Sequence, residues 1–252
     1  MTDVFEYEGY KIPVELVEMT GGGPDTWDVI SVGHMDQYER YCPILADHDV
    51  LEIGCGVGRD AIQLTRTLSP AGSYVGVDII RPSIEWCQGN ITTRFPNFRF
   101  EYLDIHSQIH NPVGTAAVTE VTLPVADDSI DRIVLQSVFT HMFEGDIVHY
   151  LHEFRRVLRD DGRVLVALPA PDDLIELRSY TGQAGRNRVE RTVETFAHGF
   201  TLVEQRRAST TADLDAAAVQ DVLFSIYRPI RSRPVEAMRV TFSLDLLLFR
   251  AA

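Results

Sequence analysis

The chain has 252 residues, of which 45% are hydrophobic and 24% charged, an ordinary globular usage that excludes a disordered, collagen-like or disulfide-scaffolded protein. Lys and Arg total 23 against 37 Asp and Glu, for a formal net charge of -14, so the overall field repels phosphate backbones and anionic membranes. Cys42, Cys55 and Cys87 form neither a disulfide framework nor a paired zinc-ligand pattern, and Asp3, Glu6 and Glu8 without a basic residue are the reverse of an export leader. The expectation is a reduced, cytoplasmic protein with no membrane span.

Apolar runs of strand length alternate with helical patterns through the middle of the chain, which predicts βαβ crossovers and a largely parallel sheet. The first strand is Val50 to Ile53, ending at Gly54-Cys-Gly-Val-Gly58. A helical stripe of Ala61, Leu64, Thr65 and Leu68 follows, closed by Ser69-Pro-Ala-Gly72. Tyr74 to Val77 is a second strand ending in Asp78, and Pro82 sits in the first turn of the next helix, where its missing N–H costs nothing. The third strand, Asn97 to Leu103, stops at Asp104. The fourth is Ile130 to Leu135, and Ile147, Tyr150, Leu151, Phe154, Val157 and Leu158 share one face of the helix after it. Asp160-Asp-Gly162 turns into a fifth strand, Arg163 to Leu168. Beyond Pro169 the pattern predicts helices near 186–197 and 213–226 and strands at Thr201 to Gln205 and Val240 to Phe249, seven strands in all with five parallel.

Glycines at 54, 56 and 58 mark a strand-to-helix turn where the backbone can approach a ligand closely and unpaired N–H groups face an anionic group. A dinucleotide fingerprint, G-x-G-x-x-G, needs glycine at position 59, and Arg59 stands there instead. Asp78, at the end of the second strand, is placed to accept both hydroxyls of a ribose. A turn and a strand-end cap are the plain alternatives for such residues, but their recurrence at successive strand ends favours a ligand site. Glu52 two residues before G-x-G-x-G resembles the first motif of the class I S-adenosylmethionine-dependent methyltransferases. That resemblance implies a Rossmann-like, doubly wound α/β fold with a seven-stranded, mostly parallel sheet and an antiparallel last strand. It also implies S-adenosylmethionine as cofactor, held by Glu52, Gly54, Cys55, Gly56, Gly58, Arg59, Asp78 and Ile79, then by Asp104 and Ile105 around the adenine, and by Gln136 and Ser137 after the fourth strand.

The matches run from about Val50 to Leu168. The stretches Trp86 to Phe98, Asp104 to Gly114 and Ser137-Val-Phe-Thr-His-Met142, with Gly21-Gly-Gly23 ahead of the core, resemble a bacterial small-molecule subgroup of that family, similar to its type 11 members. The fourth strand lacks the Asn/Asp-Pro-Pro-aromatic motif of amino-methylating nucleic-acid enzymes and the metal-holding carboxylates of magnesium-dependent O-methyltransferases. No metal is expected, therefore, and His149-x-x-His152 reads as a solvated helix face.

His141 is the candidate catalytic residue, a base able to take a hydroxyl proton as a methyl group moves; a packed or capping histidine is the competing reading. Residues 1–45, with Trp27, Met35, Tyr38 and Tyr41, resemble the family's lid segment. Residues 46–252 then form the cofactor-binding domain, with its core at 50–168 and a substrate-side part at 170–252 that carries Arg186, Arg188, Arg191, Arg228, Arg231 and Arg233. The expected activity is methyl transfer to a small molecule, most concretely O-methylation of a sugar or natural-product hydroxyl. The alternatives are C- or N-methylation of a small molecule or macromolecule, or S-adenosylmethionine binding without catalysis. The expected partner is a small-molecule substrate, with neither nucleic acid nor membrane, and a homodimer is one candidate assembly.

Overall fold

The computed structural model describes residues 3–136, 138, 139, 142, 144–181, 189–197, 199–225 and 234–252. His141 and Ser137 lie outside the described residues, as do Arg186, Arg188, Arg228, Arg231 and Arg233.

The chain opens with a hairpin of β1 (Val4–Tyr7) and β2 (Tyr10–Pro13), then α1 (Val14–Met19) and α2 (Pro24–Tyr41). The parallel part follows as β3 (Asp49–Ile53), α3 (Arg59–Leu64), β4 (Ser73–Asp78), α4 (Arg81–Cys87), β5 (Phe98–Tyr102), β6 (Ile130–Leu135), α5 (Glu144–Val157) and β7 (Leu158–Pro169). After these come α6 (Arg178–Thr181), α7 (Val189–Phe196), β8 (Phe200–Leu214), α8 (Ala216–Ser225) and β9 (Met238–Ala251). Seven strands form one mixed sheet in the order β5-β4-β3-β6-β7-β9-β8. The pairs β3–β4, β3–β6, β4–β5 and β6–β7 are parallel.

The sequence reading holds closely for the first four sheet strands. It differs at β7, which begins at Leu158 rather than Arg163 because the register shifts between Ile130 and Arg132 and takes Asp160-Asp-Gly162 into the strand as an irregularity. β8 and β9 extend well beyond the apolar runs that marked them. The N-terminal hairpin was not expected from the sequence. Its two-residue loop is Glu8-Gly9, both at positive φ, 48° and 77°, the geometry of a turn that asparagine-glycine usually signals.

The backbone divides into two compact units, residues 1–165 with 199–201 and 248–252, and residues 166–198 with 202–247. In the first unit, β3 and β4 carry near-continuous apolar runs, as strands buried on both faces do. Their side chains pack with Ile62, Leu64, Phe98 and Phe100 and with Tyr10, Ile12, Leu16, Val17 and Trp27 from the N-terminal elements, so the first 45 residues share this core. In the second unit Leu177, Tyr180, Val219, Leu223 and Val240 form a smaller core. There Arg207 donates to both carboxylate oxygens of the buried Asp245 at 3.0 Å.

Candidate functional site

Register sets the site. Ile53 of β3 pairs with Val77 of β4 on one side and with Leu135 of β6 on the other, so the carboxyl ends of three parallel strands are flush. The next residue of each, Gly54, Asp78 and Gln136, emerges on one edge of the sheet. Strands on either side of β3 are reached by crossovers running in opposite directions, and the crevice at such a reversal is where open α/β sheets bind ligands.

The turn after β3 is tied down from both sides. The N–H groups of Gly54 and Cys55 donate to the Val77 carbonyl at 2.8 and 3.1 Å. Gly54, Gly56 and Gly58 all have positive φ, 74°, 54° and 78°, which makes glycine the natural residue at each. A side chain at Gly56 would also lie 2.6 Å from Cγ2 of Thr20, and one at Gly54 2.6 Å from Cγ2 of Val138. Asp78 spans the turn. One oxygen accepts the Gly56 N–H at 2.7 Å and the other accepts the Ile80 N–H at 2.8 Å. Burial pushes the Asp78 carboxyl above the usual range, while the backbone N–H groups of Gly56, Ile80 and Ile79 oppose the shift. A carboxylate offers about four lone-pair sites, so acceptor capacity remains for hydroxyls.

The other predicted residues divide between the edge and the layer beneath it. Asp104 is half-buried and accepts the Tyr102 hydroxyl at 2.8 Å and the Thr115 hydroxyl at 2.6 Å. Those two bonds, Thr115 first, hold its carboxyl below the usual range. Arg81 lies 3.8 Å over the Tyr102 ring. Ile79 is half-buried at the edge, whereas Ile105 is 4% exposed and bridges Ala116, which leaves it little surface for a ring. Glu52 is buried below the turn, where it accepts the Tyr74 hydroxyl. Burial first, then the charge of Asp60, push its carboxyl well up. Cys55 turns inward, its Sγ against the place a Gly76 side chain would occupy. Arg59 also turns inward, donating to the carbonyls of Gly21 at 2.8 Å and Thr20 at 3.0 Å across the Trp27 ring. It clamps the α1–α2 junction to the turn, and Val57 adds an N–H to the Thr20 hydroxyl at 3.2 Å.

A second polar cluster went unread in the sequence. Asp60, 2% exposed, accepts the Tyr38 hydroxyl at 2.7 Å and faces Nδ1 of His34 at 2.9 and 3.0 Å, and the Gln136 amide donates to Tyr38 at 3.3 Å. Burial, then Asp60, raise the Tyr38 phenol well above its ordinary value. No sequence signal joins residues 26 positions apart on different helices. His149, by contrast, is engaged by the Val121 carbonyl at 2.8 Å rather than solvated. Among the described residues no cluster of His, Cys, Asp and Glu could hold a metal ion, and no helix is long and apolar enough to cross a membrane.

Comparison with known proteins decides the family. The methyltransferase-domain family matches residues 44–195, more than half of the chain. The chain belongs to that family. Its relatives include methyltransferase GfsG of Streptomyces halstedii, 32% identical over 130 residues, which are 52% of this chain and 40% of that protein. Another is phthiotriol/phenolphthiotriol dimycocerosates methyltransferase 1 of Mycobacterium ulcerans, 34% identical over 134 residues, 52% of this chain and 42% of that protein. The chain thus aligns with less than half the length of these relatives. A solved S-adenosylmethionine-dependent methyltransferase from Archaeoglobus fulgidus has the same fold, with a TM-score of 0.52 at 14% identity, covering 90% of this chain and 94% of that one. The residues present fit S-adenosylmethionine: the Asp78 carboxylate with acceptor capacity beyond its two backbone N–H bonds, a glycine turn with positive φ, and a second carboxylate on Asp104, all along one sheet edge.

Proposed function

We propose that this methyltransferase transfers a methyl group to a small molecule, by O-methylation of a sugar or natural-product hydroxyl. The observation that carries the reading is the junction of Asp78 with the Gly54–Gly58 turn, where one carboxylate both accepts the Gly56 N–H at 2.7 Å and keeps acceptor capacity at the ligand edge. S-adenosylmethionine, when bound, supplies a methyl group already activated on a sulfonium, so the chain's own work is alignment, exclusion of water and proton handling. Asp78 would take the ribose hydroxyls and Asp104 the adenine side, with Ile79 flanking. Gly54, Gly56 and Gly58 would bring backbone N–H groups to the methionine portion, and Gln136 and Ser137 would line the edge beyond β6. Glu52, Cys55 and Arg59 would support that turn from below. His141, the base expected from the sequence, lies outside the described residues.

The relatives' names support a small-molecule acceptor, since one is a phthiotriol/phenolphthiotriol dimycocerosates methyltransferase. The net charge of -14 disfavours nucleic acid. The test is incubation with methyl-deuterated S-adenosylmethionine and a panel of sugar and polyketide alcohols, with the products fragmented by mass spectrometry. Label on oxygen supports the reading, and label on carbon or nitrogen replaces it.

A further inference from the structure

The cluster on α2 and α3 has a use that the cofactor site does not absorb. His34 and Tyr38 stand one turn apart on α2, and both reach the carboxylate of Asp60, the second residue of α3. Asp60 is buried, and its oxygens accept the Tyr38 hydroxyl at 2.7 Å and meet His34 Nδ1 at 2.9 and 3.0 Å. When the carboxylate is ionised and the ring neutral, Nδ1 carries the proton that Asp60 accepts and the lone pair falls on Nε2. Among the described residues nothing bonds to Nε2, and the His34 side chain is 14% exposed. The chain of contacts runs on through Tyr38 to Gln136, the first residue past β6. Tyr38 thus links the histidine's carboxylate partner to the residue that follows β6.

We propose that His34 is the residue that receives the acceptor's proton, with Asp60 as the positioning residue that fixes its tautomer. The inference rests on the function proposed above and narrows the acceptor to a neutral O–H group presented to Nε2. In the step, the acceptor oxygen forms a bond to the methyl carbon as the carbon–sulfur bond breaks with its electron pair to sulfur. The O–H proton passes to Nε2, and the resulting imidazolium is stabilised across Nδ1–H by the Asp60 carboxylate before the proton leaves to water. A carboxylate behind a histidine performs this tautomer-fixing in other proton-transfer sites.

The test uses the full chain saturated with S-adenosylhomocysteine. Nitrogen-15 NMR, with the His34 signals assigned by their loss in His34→Gln, should show a protonated Nδ1 and a bare Nε2. Diethyl pyrocarbonate should then carbethoxylate His34, as read by peptide mass spectrometry. Tyr38→Phe should keep both properties. Asp60→Asn, whose amide can donate to Nδ1, should move the proton to Nε2 and slow carbethoxylation several-fold, with a melting curve to verify folding. If Asp60→Asn does not fold, the wild-type tautomer and reactivity decide alone. A proton on Nε2 in the wild type, an unreactive His34, or reactivity unchanged in folded Asp60→Asn overturns the proposal. Absence of S-adenosylhomocysteine binding to the wild type would instead remove the cofactor reading beneath it, so the two failures are distinct.

Discussion

At the level of single residues, the Asp78 carboxylate holds the turn and is proposed to take the ribose hydroxyls as well. Asp78→Ala removes the acceptor for two hydroxyls. A hydrogen bond to a charged group contributes about 1.5–3 kcal/mol, so affinity for S-adenosylhomocysteine should fall by roughly tenfold to a hundredfold. Calorimetry checks it, and an unchanged dissociation constant would reduce Asp78 to a cap for Gly56. Glu52 makes a pH prediction. Its folded-state pKa is raised by burial and by Asp60, so the folded chain holds an extra proton above the ordinary glutamate range and loses stability as pH climbs through that window. Glu52→Gln removes the penalised charge and can still accept from Tyr74. The melting temperature of the variant relative to wild type should therefore be higher at pH 8 than at pH 5, and a difference that does not change with pH would contradict this. The strand-end positions of Asp78 and Gly54 were legible in the sequence because each closes an apolar run. The His34–Asp60 pair was not, because its partners meet only through the packing of α2 on α3.

Among the elements, the turn and the α1–α2 junction act as one. Arg59 was read from the sequence as the residue that spoils a dinucleotide fingerprint, yet its structural role is to bond the carbonyls of Thr20 and Gly21. Arg59→Ala should destabilise the protein by about 1.5–3 kcal/mol, the range for a hydrogen bond to a charged group, and amide exchange at residues 20–23 should quicken. Unaltered exchange there would show that the junction holds without the clamp. Gly56→Val makes the same joint fail from the other side: its backbone has φ of 54° and its new side chain would strike Thr20. Both cofactor affinity and melting temperature should drop, and normal binding by the variant would misplace the site. The hairpin β1–β2 escaped the sequence reading because Glu8 takes a positive-φ position that asparagine usually announces, and β7 was read short because its bulge hid Leu158 to Gly162 behind turn-forming residues.

For the whole molecule, the parallel order was readable because buried strands show as unbroken apolar runs punctuated by glycine and aspartate. That pattern loosens after Pro169, where long β8 exposes most of its residues and alternation, not apolar run length, would have been the better guide. Membership of the methyltransferase-domain family covers residues 44–195, and the central claim it supports is a cofactor site built on Gly54–Gly58 and Asp78. The most direct measurement is isothermal calorimetry of the purified chain against S-adenosylhomocysteine and against NAD. The account predicts micromolar binding of S-adenosylhomocysteine and weak or no binding of NAD, because Arg59 stands where the dinucleotide fingerprint has its third glycine. Tighter binding of NAD than of S-adenosylhomocysteine would contradict it.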